Sequence, residues 1–193
     1  MKNDTTESEA ENWLQAGEQS QITEDIERLS EEMGGDGMQY VFNVLEWMKE
    51  SIGNFEGGGD EWRSNFRNRT ASDIIKSKKA SGCGDLAVVF CTLVRAKGIP
   101  AIFVEMPYKG WLEKEFDGNW TNHVLARIFI DGKWYWVDPT RGNVGVSGPR
   151  QVGGGIDYVK LSEGIDSWSL GIRDWESYKK IYTDFQEKWR IEN

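Results

Sequence analysis

Apolar positions in the first half of the chain repeat at the spacing of amphipathic helices. Ile22, Ile26 and Leu29 predict a helix over about Thr23–Met33. A longer helix is predicted over Met38–Ile52, where six apolar side chains share one face.

Shorter elements are predicted next. The run Gly57-Gly58-Gly59 indicates a loop. A short helix over Glu61–Arg69 would turn Trp62 and Phe66 inward, and another helix would begin at Ser72 as its N-cap.

The segment from Cys83 to Lys97 has the strongest helical pattern of the chain. Gly98 and Pro100 end this helix, and Ala101–Glu105 has the pattern of a strand. The helix therefore leads directly into a sheet. Its apolar side chains, at the spacing of a stripe facing a core, are Leu86, Val89, Phe90, Leu93 and Val94.

The second half of the chain has the pattern of strands. Val124–Ile130 and Lys133–Asp138 flank Asp131-Gly132, a strong signal for a two-residue hairpin turn. A long loop over Pro107–Asn122 precedes them. Beyond them we expect a Gly-rich stretch, an edge strand over Asp157–Leu161 and a closing amphipathic helix over Asp174–Trp189. Helices followed by antiparallel strands indicate an α+β fold, with a helix packed against the sheet.

The hairpin turn brings two chemically useful side chains together. With a two-residue turn, Ile130 pairs with Lys133, and Leu125 then lies opposite Asp138. Because side chains alternate between faces, His123 shares the face of Asp138. The two residues become diagonal neighbours, with Cα atoms about 7–8 Å apart. The sequence therefore predicts a His–carboxylate pair, which a one-residue slip of the register would separate.

Cys83 lies at the predicted start of its helix, between Gly82 and Gly84. Unpaired backbone N–H groups and the positive end of the helix dipole favour a thiolate there and could donate to an oxyanion. If this helix start packs against the hairpin, His123 can accept the thiol proton while Asp138 orients the imidazole. Cys83, His123 and Asp138 are thus the candidate catalytic residues.

Each of these residues also has a simpler interpretation. Cys83 could be an ordinary buried helix cysteine, as Cys91 is expected to be. His123 could be a hydrogen-bonded residue at a strand end, and Asp138 could cap a turn before a proline. Their combination on three predicted elements favours function, and His123 is the only histidine that a Cys–His mechanism could use. Asp85 is left outside the catalytic set, because an acid in a first helical turn is stabilised by the dipole whatever its role.

The charge of the chain is concentrated at its N-terminus. Residues 1–37 hold 11 acidic and 2 basic side chains, and the rest of the chain is balanced. We expect residues 1–21 to form an acidic, disordered tail and residues 22–193 to form a single domain. A neutral body lacks the basic patch that nucleic-acid binding needs.

The remaining composition concerns compartment and cofactors. The N-terminus lacks a signal-peptide pattern and no apolar run is long enough to span a membrane, so we expect a cytoplasmic protein without a membrane partner. Two cysteines eight residues apart on one helix are too distant for a disulfide. With a single histidine and no CxxC pair, no metal or other cofactor is expected.

Two stretches of the chain resemble a known family. SGCGDLAVVFCTLVRAKGIPAIFVE and NHVLARIFIDGKWYWVDPT are similar to the core of transglutaminase-like proteins, over about residues 70–141. In that family a Cys opens a helix, a His begins a strand, and an Asp ends the next strand before Pro-Thr. The resemblance implies a papain-like α+β fold with Cys83, His123 and Asp138 as the triad.

The resemblance also implies a reaction. Members transfer an acyl group from an amide through a thioester, and they include cross-linkers, proteases, peptide deglycosylases and deamidases. The implied partner is a protein, peptide or other amide substrate; hydrolysis is favoured over transamidation because water needs no second binding site. The oligomeric state stays open. The family also recruits a tryptophan near the oxyanion, for which candidates are Trp47, Trp62, Trp111 and Trp120.

The alternative is a non-catalytic module of the same fold that binds a peptide or glycan. Trp111 and Trp120, expected in an exposed loop, would then be binding anchors.

Overall fold

The computed structural model describes residues 7–55 and 59–193, so most of the predicted Gly57–Gly59 loop lies outside the described residues. The described chain folds as helices packed around an antiparallel sheet, which confirms the predicted α+β class. The helices are α1 Glu7–Glu11, α2 Glu24–Met33, α3 Gly37–Ser51, α4 Asp60–Asn65, α5 Ala71–Ser77, α6 Cys83–Ala96, α7 Lys109–Leu112, α8 Pro149–Val152 and α9 Trp175–Glu192.

Two sheets are present in the described part of the chain. The short strands β1 Gly53–Asn54 and β2 Lys79–Ala80 pair in parallel. The main sheet has five antiparallel strands in the order β6-β5-β4-β3-β7. Its strands are β3 Ala101–Pro107, β4 Asn122–Ile130, β5 Lys133–Asp138, β6 Asn143–Gly145 and β7 Ser162–Gly164.

Helix α6 is the centre of the core. The predicted apolar stripe is present, but side chains on the other faces, such as Val88 and Cys91, are buried as well. The reason is that α6 packs on the sheet through β3 and β4 and is covered on its other sides by α2, α3 and α5. A helix that is enclosed in this way fixes its N-terminal residue, Cys83, relative to the sheet.

The predicted hairpin register is confirmed. Ile130 pairs with Lys133 and Ala126 with Val137, joined by Asp131 and Gly132, which both have positive φ. The alternation sends Val124, Ala126 and Ile128 toward the α6 core, with Leu125 on the opposite face.

The N-terminal segment differs from the predicted disordered tail. Residues 7–14 are helical, and both Gln19 and Ser20 are fully buried. The Gln19 amide donates to the backbone carbonyl of Arg69, and the Ser20 hydroxyl donates to Asp166. Hydrogen bonds therefore attach Gln19 and Ser20 to the rest of the domain. Residues 1–6 lie outside the described range.

Several element boundaries also differ from the predictions. Helix α4 ends at Asn65, and Thr70 rather than Ser72 is the N-cap of α5, because its hydroxyl accepts from the Asp73 N–H in a capping box. The predicted edge strand at Asp157–Leu161 forms only backbone hydrogen bonds beside β3, and the edge strand is β7. The predicted long loop contains α7. None of the helices in residues 7–55 and 59–193 is both long and apolar enough to cross a membrane.

Candidate active site

Cys83 is the first residue of α6, at the place where helical N–H groups are unpaired. Gly82 precedes it with φ 143°, a conformation that favours glycine. The Cys83 side chain is partly exposed, whereas Cys91 is fully buried in the same helix. Burial raises the pKa of Cys91 to about 11, so that this second thiol stays neutral. The two cysteines therefore have very different access to solvent.

His123 and Asp138 form the pair that the hairpin register predicts. The imidazole Nε2 lies 2.8 Å from Asp138 Oδ2, and both side chains are buried. Asp138 is fixed by its own turn, since the backbone N–H groups of Thr140 and Arg141 donate to its Oδ1 at 3.0 and 3.1 Å. Asp138 can therefore hold the imidazole in one orientation.

Cys83 also interacts with this imidazole. Burial lowers the pKa of His123, but hydrogen bonds to Asp138 and Cys83 and the charges of both groups outweigh burial and raise it to about 9. Burial raises the pKa of Asp138, yet its bonds to His123 and Arg141 bring the net pKa below the usual value. The interactions of His123 with Asp138 and Cys83 thus favour the imidazolium form of its side chain.

A cavity of about 200 Å³ opens beside Cys83. Five of its twelve described lining residues are aromatic, and Trp62 and Trp120 each pack edge-on against Trp175 at 5.4 Å between ring centroids. Asn122, the residue before His123, lies in the same wall and accepts a hydrogen bond from Tyr178 at 2.8 Å. The cavity can therefore hold an apolar group next to the thiol.

The four candidate tryptophans have different environments. Trp47 packs against the α6 core, and Trp111 is buried, so the expectation that Trp111 is exposed was wrong. The indole N–H groups of Trp62 and Trp111 donate to backbone carbonyls of Ser81 and Asn119 at 2.7 Å. The buried Nε1 of Trp120 has no hydrogen-bond partner among the described residues. Trp62 and Trp120 are the two candidates that line the cavity. Of these two, only Trp120 has an indole N–H without a hydrogen-bond partner among the described residues.

Arg67 is a site residue that sequence reasoning missed. Its side chain is buried directly against Gly84, where any added Cβ would overlap the guanidinium. Arg67 Nη1 lies 2.8 Å from Glu105 Oε1, and Tyr182 donates to the other carboxylate oxygen. Burial opposes the charge of Arg67, but Glu105 and then Cys83 outweigh it and raise its pKa. A permanent cation therefore lies under the first turn of α6.

Other missed residues arrive from distant parts of the chain. Trp175 and Tyr178 belong to α9, and no local pattern places that helix beside Cys83. Arg141 did have a local signal, because it follows Asp138 by three residues in a turn. Asp85 is a structural residue, as its buried carboxylate accepts from the backbone N–H and the hydroxyl of Ser81, both at 2.8 Å, and pairs with Arg69.

Across residues 7–55 and 59–193, no group of three or more His, Cys, Asp or Glu side chains is arranged to hold a metal ion.

The fold and the site together indicate a class of protein. A cysteine at the start of a buried helix, facing a His–Asp pair on an antiparallel sheet, is the arrangement of papain-like cysteine enzymes. The sequence profile of the transglutaminase-like superfamily matches residues 27–139, which is more than half of the chain. The chain belongs to the transglutaminase-like superfamily. This membership supports cysteine-type acyl transfer in general.

Solved structures are similar to this chain to different degrees. A protein from Cytophaga hutchinsonii described as a candidate cysteine protease superposes with a TM-score of 0.63 at 18% identity, covering 87% of this chain and 51% of that chain. A candidate protease from Parabacteroides distasonis has a TM-score of 0.48 at 13% identity, covering 80% and 28%. A protein described as a TGase has a TM-score of 0.40 at 17% identity, covering 72% and 34%.

At these identities the likeness concerns the fold alone, and the first of these structures supports the papain-like assignment. This chain spans about half of the length of that chain. Comparison with curated proteins found no match.

Proposed function

We propose that this protein is a cysteine-dependent acyl-transfer enzyme in which Cys83, His123 and Asp138 act as a catalytic triad. The observation that supports this most is that the only histidine of the chain is hydrogen-bonded to the buried Asp138 carboxylate and lies close enough to Cys83 for the thiol to raise its pKa. A histidine that only formed a hydrogen bond at the end of a strand would require neither a partly exposed thiol nor an aromatic cavity beside it.

The reaction follows from these contacts. The Cys83 thiolate adds to the carbonyl carbon of an amide, and the negative charge moves to the carbonyl oxygen. The C–N bond then breaks as the imidazolium of His123 gives its proton to the departing amine, which leaves an acyl thioester. Water, deprotonated by His123, adds to the thioester and releases the acid and the thiolate. Asp138 keeps the imidazole oriented throughout.

Two sources of donors can stabilise the oxyanion. The first-turn N–H groups of α6 are unpaired and lie beside Cys83. The indole N–H of Trp120, unpartnered in the wall of the cavity, is our proposed second donor. Trp62 is less suited, because its N–H is already donated to Ser81.

The proposed substrate is a protein, peptide or other amide, and the proposed outcome is hydrolysis. The cavity beside Cys83, at about 200 Å³, has the size of one or two side chains rather than of a second substrate chain. Transamidation would need an amine bound in place of water. A cytoplasmic location stays a prediction from the sequence.

Alkylation with iodoacetamide tests the triad without a known substrate. Cys83 and Cys91 are followed by mass spectrometry over a range of pH in the wild type and in His123→Ala, with the buried Cys91 as the internal control. We expect Cys83 to react much faster than Cys91 at pH 6, and His123→Ala to slow Cys83 by at least about tenfold. Equal reactivity in the two proteins would remove His123 from the mechanism.

A second candidate function is a binding module, which the aromatic cavity favours. Aromatic side chains are frequent binding anchors. In that case Cys83→Ser would keep full affinity for the ligand and the wild type would form no covalent adduct with any acyl donor.

A further inference from the structure

Arg141 touches both members of the His–Asp pair. Its Nη1 lies 2.8 Å from Asp138 Oδ2 and 2.9 Å from His123 Nε2, and that same Nε2 lies 2.8 Å from the same carboxylate oxygen. Two nitrogen donors therefore meet at one oxygen, and they are as close to each other as each is to the oxygen.

The position of Arg141 is set by the turn that follows β5. The backbone N–H of Arg141 donates to Asp138 Oδ1, and the N–H of Gly142 donates to the Asp138 carbonyl at 2.8 Å. The Arg141 side chain then folds back over the Asp138 carboxylate, which also accepts the hydrogen bond from the Arg141 backbone N–H. Its hydrogen bond to Asp138 raises the pKa of Arg141, so the cation is permanent.

The contact between Arg141 and His123 has a consequence for the proton on the imidazole. A guanidinium has no acceptor, so the 2.9 Å contact is a hydrogen bond only when Nε2 has lost its proton. When both ring nitrogens are protonated, the imidazolium and the guanidinium compete for Oδ2 and repel each other. A neighbouring positive charge disfavours the imidazolium.

The other groups around the imidazole do not provide this effect. Cys83 on α6 and Asp138 on β5 both favour the charged imidazole. The ring of Tyr158 stacks on the imidazole, with 6.2 Å between the two ring centroids. Tyr108 contacts Arg141. Arg141 is the cation whose contact with His123 the structure shows among the described residues.

We propose that Arg141 is a positioning residue that shares Asp138 Oδ2 with His123 and so limits how firmly the imidazolium is held. The role rests on the proposed function, because acyl transfer requires His123 to give its proton to the leaving amine. An imidazolium held by two acids with no opposing charge would be stable but slow to release that proton.

The single histidine makes a direct test possible. An NMR titration of the imidazole reports only His123, so no assignment is needed. The titration is run on the wild type, on Arg141→Gln and on Arg141→Lys. Arg150→Gln is the matched control, since Arg150 is an exposed arginine whose partner is Asp157. About a third of the Arg141 side chain is exposed, at 36%, which makes these substitutions compatible with folding.

Arg141→Gln is expected to raise the titration midpoint of His123 by about one pH unit. Arg141→Lys, which keeps the charge, should stay within a few tenths of the wild type, as should Arg150→Gln. A His123 titration midpoint that is unchanged or lower in Arg141→Gln would overturn the proposal. Loss of a purely structural arginine would not raise that midpoint.

A kinetic measurement separates this inference from the triad itself. With an amide substrate, Arg141→Gln should lower kcat with little change in KM. Failure of the triad would appear as a wild type that forms no adduct at Cys83, whatever the midpoint of His123. Failure of the Arg141 role would appear as an unshifted midpoint in a protein that does form the adduct.

Discussion

The buried ion pair between Arg67 and Glu105 provides a prediction about stability. Glu105 is fully buried, Arg67 is nearly so, and 2.8 Å separates their charged atoms. Glu105→Gln keeps the shape of the side chain but removes the negative charge. The guanidinium then stays under α6 with only neutral acceptors, the amide oxygen at position 105 and the Ser167 hydroxyl, which lies 3.3 Å from Nη1.

The expected magnitude follows from the cost of an uncompensated charge. Removing one partner of a buried ion pair destabilises a protein by about 3–5 kcal/mol. The remaining Ser167 contact argues for the lower half of that range. For a chain of this size the melting temperature should fall by roughly 6–16 °C.

The assay is urea unfolding of the wild type, Glu105→Gln and a matched Glu113→Gln control. Glu113 pairs with Lys109 at 3.6 Å with both side chains more than half exposed, so its loss should cost less than about 1 kcal/mol. Arg67→Met combined with Glu105→Gln should recover much of the loss, because no buried charge remains. Equal free energies of unfolding for Glu105→Gln and Glu113→Gln would show that loss of the buried ion pair costs no more than loss of the exposed one, contrary to this prediction.

Three further predictions concern the site. Gly84→Ala should destabilise by about 1–3 kcal/mol in thermal unfolding, since its Cβ would overlap the Arg67 guanidinium, whereas Gly110→Ala, with open space around it, should not. The folded pKa of Asp138 is lowered, so its contribution to stability is present above about pH 4 and lost as the pH falls through the folded pKa. The difference in free energy of unfolding between wild type and Asp138→Asn should therefore shrink in acid, and a constant difference would contradict this. Trp120→Phe should slow acylation of Cys83 by about 10²-fold, the effect of losing one oxyanion donor, while Trp111→Phe should leave the rate unchanged.

The parts of the site that local patterns determine could be predicted from the sequence. Alternation along β4 and β5 and the Asp131-Gly132 turn fix the register, and the register brings His123 to Asp138. The start of α6 was likewise visible from the apolar stripe that follows Cys83.

The parts that depend on distant segments could not be predicted. Trp175 reaches the cavity from a helix that begins more than ninety residues after Cys83, and periodicity says nothing about where that helix packs. Gln19 and Ser20 lie in an acidic, polar stretch, so their composition indicated disorder. Hydrogen bonds to Ser167 and Asp166, from the far end of the chain, bury them.

Capture of an acyl-enzyme is the most direct test of the triad. The protein is mixed with p-nitrophenyl acetate, and the acetyl group is located by mass spectrometry of tryptic peptides in the wild type, Cys83→Ala and His123→Ala. We expect a hydroxylamine-sensitive adduct on Cys83 in the wild type, none on Cys91, and formation slowed by about 10²–10⁴-fold in His123→Ala. Acetylation confined to lysines, or equally fast on Cys83 without His123, would contradict this expectation.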